Sequence, residues 1–121
     1  MASSFEVSAG KAIGYVSGGA VTQATDKSTG VTLNQASGQI TMDGAALGAG
    51  AEASFTVTNS TVAATDVVLV NHSSAGTAGA YMVQANSLAA GSFGITVTNL
   101  TAGSLSEAIV LNYAVIKGAA S

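Results

Sequence analysis

Ser54-Phe55-Thr56-Val57-Thr58-Asn59 and Ser92-Phe93-Gly94-Ile95-Thr96-Val97-Thr98-Asn99 are the two stretches that decide the fold. Ala53, Phe55 and Val57 alternate with Ser54, Thr56 and Thr58; Phe93, Ile95 and Val97 alternate with Gly94, Thr96 and Thr98. A period of two sends successive side chains to opposite faces of a strand. Both stretches therefore predict β-strands with one apolar face and one hydroxyl-bearing face. Val31 and Leu33, then Ile40 and Met42, keep the same period.

The two stretches are also copies of one another. Each follows an Ala/Gly turn, Ala49-Gly50-Ala51 or Ala89-Ala90-Gly91, and each leads through Ser, Thr and Ala to an acid and an apolar strand. These second strands are Asp66-Val67-Val68-Leu69-Val70-Asn71 and Glu107-Ala108-Ile109-Val110-Leu111-Asn112, offset by 41 residues. Two units make a paired hairpin, too few for a solenoid. The matching positions of Asp66 and Glu107 predict a shared structural role at the start of each strand.

Turn signals separate the runs at Ser17-Gly18-Gly19, Ser37-Gly38, Asp43-Gly44, Ser73-Ser74-Ala75-Gly76 and Ala102-Gly103. Short strands punctuated in this way predict an all-β chain. The expected architecture is a single β-sandwich or jelly-roll-like domain of about eight strands. Residues 25–121 form that domain. Residues 1–24 are Gly-rich and read as an N-terminal arm or a first hairpin.

Two strands break the alternation. In 67–70 and 108–116 both faces are apolar: Ile109, Leu111, Tyr113 and Val115 lie on one side, and Val110, Ala114 and Ile116 on the other. A strand in a simple sandwich has one wet face. Either a loop covers the second face or another subunit does. The candidate interface is Val110, Ala114 and Ile116, with Val68 and Val70 from the earlier strand.

Charge is scarce. Three cations and six acids are spread over 121 residues, with no Arg, Cys, Trp or Pro and one His. Phosphate backbones and anionic lipid surfaces are gripped by clustered Lys and Arg, so neither a nucleic acid nor a membrane surface is an expected partner. The longest apolar runs, 62–70 and 108–116, are interrupted and too short for a spanning helix. Met1-Ala2-Ser3-Ser4-Phe5-Glu6 shows no basic or apolar leader, and no signal peptide is expected.

The same scarcity argues against an enzyme. His72 is the only imidazole, no Gly-x-Ser-x-Gly elbow accompanies it, and the six acids are far apart in sequence. Zinc needs several His or Cys ligands and calcium needs clustered oxygens, so no metal or cofactor is expected. Gly48-Ala49-Gly50 reads as a turn, since the Lys-Ser/Thr of a phosphate loop is missing. Asn59-Ser60-Thr61, Asn71-His72-Ser73 and Asn99-Leu100-Thr101 match the glycosylation pattern by coincidence of a Thr- and Asn-rich composition. His72, with Tyr81 beside its turn, is the candidate recognition loop.

A set of segments spread over 21–117 carries a resemblance. Among them are Gly30-Val31-Thr32-Leu33-Asn34, Ser37-Gly38-Gln39-Ile40-Thr41-Met42, Val70-Asn71-His72, Gly76-Thr77-Ala78-Gly79-Ala80-Tyr81 and Ser104-Leu105-Ser106-Glu107-Ala108-Ile109. Together with the duplicated strands, they make the chain similar to a small β-rich module of structural proteins in tailed bacteriophages. The resemblance implies a virion component assembled in the host cytoplasm, either a capsid decoration protein or a fibre or spike domain. It implies a homo-oligomer, a trimer by preference, seated on the major capsid protein or another virion protein. It supplies no catalytic residues. A bacterial adhesin or surface-layer sandwich module is the alternative that Phe-Thr-Val-Thr-Asn also suits.

Overall fold

Eight strands follow from the alternating pattern: β1 (Gly19–Thr22), β2 (Val31–Thr32), β3 (Ser37–Thr41), β4 (Glu52–Thr58), β5 (Val67–Ser74), β6 (Tyr81–Ala89), β7 (Ser92–Asn99) and β8 (Val110–Ile116). They belong to a computed structural model that describes residues 18–118. One sheet has the order β1-β3-β8-β5 and the other β2-β4-β7-β6. The chain changes sheet at every step from β1 to β6 and stays in one sheet only for β6 and β7, which join at Ala90-Gly91. Gly91 takes a φ of 85° there, a left-handed conformation that costs glycine little.

This is a β-sandwich of the expected strand number. Two parallel pairs, β1 with β3 and β2 with β4, set it apart from a wholly antiparallel jelly roll. Residues 1–17 of the predicted arm lie outside the described residues. Towards the end of that segment, Gly19–Thr22 is β1, which pairs in parallel with β3.

The core lies between the sheets and follows the period of two. Phe55 and Val57 of β4 and Phe93, Ile95 and Val97 of β7 face Ile40 of β3 and Leu111, Tyr113 and Val115 of β8. The rings of Phe93 and Tyr113 meet across the layers with centroids 5.5 Å apart. Each such side chain, fully buried, contributes roughly 1.5–3 kcal/mol. The hydroxyl residues of β4 and β7 lie on the outer face, where Ser54 Oγ and Thr96 Oγ1 are 2.7 Å apart.

The duplicated units are arches, not hairpins. Within each unit the first strand lies in one sheet and the second in the other, while like strands pair with like: β4 with β7 and β5 with β8. Phe55 pairs with Ile95, and a shift of 40 residues exchanges the pairs Ala53–Val97 and Val57–Phe93. Asn71 pairs with Asn112, and a shift of 41 exchanges Val70–Tyr113 and His72–Leu111. A sequence repeat laid antiparallel on itself in this way generates a local two-fold axis through each pairing.

Candidate functional site

Two groups of residues were expected to carry function, a candidate interface and a recognition loop, and the fold divides the first. Val110, Ala114 and Ile116 point away from the core on β8. Val110 and Ala114 are half-buried, and Ile116 is 40% exposed. Val68 and Val70 do not join them. Val68 is buried opposite Val115, and Val70 packs on the core opposite Tyr113. The outward residues of β5 are instead Val67 and Leu69, 52% and 58% exposed. Four consecutive apolar residues give no parity by themselves. It is fixed by the register with β8, whose Tyr113 and Val115 are committed to the core. Val67 then lies beside Ile116 and Leu69 beside Ala114. A shallow groove lined by Leu69, Asn71, Asn112 and Ala114 runs between the two strands on this outer face.

The His72–Tyr81 pair forms, but not as an exposed recognition surface. Tyr81 is buried, and its hydroxyl donates to Glu107 Oε1 at 2.7 Å. Burial, with that carboxylate beside it, pushes the phenol well above its usual range. His72 packs edge-on against the Tyr81 ring, with centroids 5.6 Å apart. Its Nε2 lies 3.0 Å from the Ser74 carbonyl and 2.5 Å from that of Ala75. Two carbonyls can only accept, so Nε2 carries a proton. What stays exposed is the turn 73–79 itself.

Glu107 holds that turn. Its Oε1 accepts from Thr77 N at 3.0 Å and its Oε2 from Thr77 Oγ1 at 2.9 Å. The Tyr81 hydroxyl, then these Thr77 donors, hold the carboxyl below its ordinary range. Asp66 repeats the device at the matching position. It accepts from Lys117 Nζ at 2.6 Å, Ala63 N at 2.8 Å and Gly118 N at 3.1 Å. Lys117 above all, with the two backbone N–H groups, brings its carboxyl down to about 2. The shared structural role expected from the duplication is present.

Two further pairs of residues carry structure, the first of them at triplets read from sequence as coincidence. Asn59 and Asn99, the first residues of two glycosylation-like triplets, are fully buried. Asn59 Oδ1 accepts from Thr61 N and Oγ1 at 3.0 and 2.7 Å, and its Nδ2 donates to Gln35 O and the Tyr113 hydroxyl. Asn99 does the same with Thr101, donating to Leu47 O and Gly103 O. Each Asn thus closes the turn that follows its strand and ties it to a distant loop. The repetition of Thr two residues after Asn was the available signal.

Lys27 and Gln23 form the second pair. Lys27 is 3% exposed, and its ammonium donates to the main-chain carbonyls of Asp43 and Glu107. Burial lowers its pKa, although Asp43 and Glu107 oppose the shift. Gln23 bonds Lys27 O, Thr29 O and Asp43 N, fastening the segment between β1 and β2 over the end of the sandwich.

Among the described residues, no three His, Cys, Asp or Glu side chains come together as metal ligands would. Every buried side-chain polar atom there has a hydrogen-bond partner, so none is left waiting for a ligand. The described surface also bears apolar groups. Val67, Leu69, Met82, Leu100 and Ile116 are its exposed large apolar side chains. All five lie on β5 or β6 or directly beside them: Ile116 pairs with Val67, and Leu100 N bonds Ala80 O at the start of β6. No family model, curated protein or solved structure matches the chain.

Proposed function

We propose that this chain is a structural protein of a tailed-bacteriophage virion, a decoration protein that braces the head through non-covalent contacts with copies of itself and with the capsid protein. One observation carries the reading. The exposed large apolar side chains line the β5/β6 edge, Val67, Leu69 and Ile116 on one sheet and Met82 on the other, on a surface with few charged groups. Such a surface suits a neighbour that is also poor in charge, and repeated weak contacts sum to firm attachment. The sequence resemblance supplies the virion, and the clamped turns supply the rigidity a brace needs.

A fibre or spike domain is the second reading. The turn 73–79, held out by Glu107 and Tyr81, favours it, because a stiff exposed loop loses little entropy on meeting a receptor.

Copy number separates the two. Heads of the phage that encodes the chain are reconstructed with and without it. A decoration protein covers the head surface in many copies, and its removal lowers survival of heat. Density confined to the tail tip, with adsorption lost on deletion, replaces this reading by the second. Ile116→Asp serves as the surface control: the variant folds but leaves the head.

A further inference from the structure

We propose that β5 pairs with β5 of a second copy, antiparallel about a two-fold axis, so that two β1-β3-β8-β5 sheets become one continuous sheet. The proposal rests on the oligomeric reading above and names the surface that makes the oligomer.

The two sides of the sandwich are guarded very differently. One is closed by β1 and β2, of four and two residues; the other presents β5 and β6, of eight and nine. Natural sheets protect long edges with charge, proline or bulges, because an unpaired strand recruits another. Neither β5 nor β6 contains a charged residue or a proline. The register of β6 breaks between Asn86 and Ala89, where Ser87 takes a φ of 54°. The register of β5 also breaks, between His72 and Ser74, after a regular run from Val67 to His72. β5 is the long edge with the more apolar outer face, where Val67 and Leu69 are exposed against Met82 on β6.

The duplication points to the same lane. On its far side from β5, β8 pairs with β3. The local two-fold that exchanges β8 and β5 places an equivalent strand along the outer edge of β5, and among the described residues none lies there.

The occupant must offer an unpaired, uncharged strand flanked by apolar side chains. β5 of another copy does so by construction, and antiparallel self-pairing brings Val67 and Leu69 of both copies into one strip with Ile116. A head-to-tail ring is the competing arrangement, with β1 of one copy on β5 of the next. β1 runs in the same direction as β5, because both oppose β8 through the intervening order. That ring would rest on a parallel pairing of only four residues, the weaker kind per residue. The apolar strip alone is a small part of the roughly 800 Å² per partner that a stable interface buries. Main-chain pairing must therefore carry much of the contact, as it does wherever a strand is added to a sheet edge.

Light scattering of the full chain, with single cysteines introduced into a protein that has none, tests this. Twice the chain mass is expected for the wild type and the chain mass for Leu69→Lys, with an unchanged circular dichroism spectrum. Under mild oxidation Leu69→Cys or Asn71→Cys cross-links to a dimer, and Thr22→Cys on β1 does not. A three-chain mass that survives Leu69→Lys, or cross-linking through Thr22→Cys alone, overturns the pairing while the oligomeric reading stands. A wild-type monomer that still decorates heads overturns the pairing and self-association; one that ignores heads overturns the decoration reading as well.

Discussion

Asp66 and Glu107 exchange places under the local two-fold axis between Asn71 and Asn112, and each fastens the segment that leaves the other's strand. Asp66 precedes β5 and holds Gly118, just after β8; Glu107 precedes β8 and holds Thr77, just after β5. The same 41-residue shift relates the two acids and their two N–H donors. The strand pair β5–β8 is thus closed at both ends by a carboxylate, which matters for a pair whose outer face carries Val67, Leu69 and Ile116.

Acid should open both clamps. The folded carboxyls sit below their ordinary values, Asp66 at about 2 and Glu107 lowered as well. A depressed carboxyl stabilises the fold fully above its unfolded pKa, about 4, and loses that contribution as pH falls through the folded value. Thermal melts between pH 5 and pH 2 should therefore drop steeply for the wild type. Asp66→Asn/Glu107→Gln should melt lower at pH 7 and lose much of the acid slope. Equal slopes for the two proteins would show that the clamps do not govern acid stability.

The buried asparagines make a second matched pair. Asn59→Ala strands the Thr61 N–H and hydroxyl, and Asn99→Ala strands the Thr101 N–H, while the Thr101 hydroxyl keeps Gly103 O as acceptor. Leaving a buried donor unpaired costs about 1–3 kcal/mol, so each variant should lose about 2–3 kcal/mol in a urea titration. The loss should be the smaller for Asn99→Ala, because the Thr101 hydroxyl keeps an acceptor. A variant with an unshifted midpoint would mean that water replaces the amide.

Turn 73–79 offers a contrast between two glycines. Gly79 has a φ of 80° and open space where a Cβ would stand. Gly79→Ala should cost only the left-handed backbone penalty, about 1–2 kcal/mol. Gly76 has a φ of 71°, and a Cβ there would sit 2.7 Å from Ile109 Cγ2 and 2.9 Å from Glu107 Oε1. Ile109 is fully buried and cannot step aside, so Gly76→Ala should add about 1–3 kcal/mol of overpacking. Equal melting temperatures for the two variants would contradict the close packing of this turn.

Much of this architecture was legible because it repeats with period two. Phe55, Val57, Phe93, Ile95 and Val97 declare their faces, and the duplicated acids announce a shared task. What was not legible depended on partners distant in sequence. The parity of Val67-Val68-Leu69-Val70 is set by β8, so Val68 and Val70 turned inward against expectation. Tyr81 looked free beside a Ser/Gly turn, yet Glu107, 26 residues away, lets its hydroxyl be buried. Lys27 read only as one of three scattered cations. No local pattern reveals that two main-chain carbonyls from far along the chain close over its ammonium.

That burial gives Lys27 a chemical signature. An amine-acylating reagent needs a neutral, accessible Nζ, and the folded state offers only a 3% exposed residue whose ammonium is engaged by Asp43 O and Glu107 O. The side chain of Lys117, though paired with Asp66, is 62% exposed. Peptide mass mapping after brief acylation at pH 8 should find Lys117 modified and Lys27 protected, with Lys27 reacting once urea unfolds the chain. Its lowered pKa does not reverse the order, because access to the nitrogen limits the reaction. Rapid labelling of Lys27 in the native protein would mean that the segment tied by Gln23 opens readily, and that the end of the sandwich it covers is exposed to water.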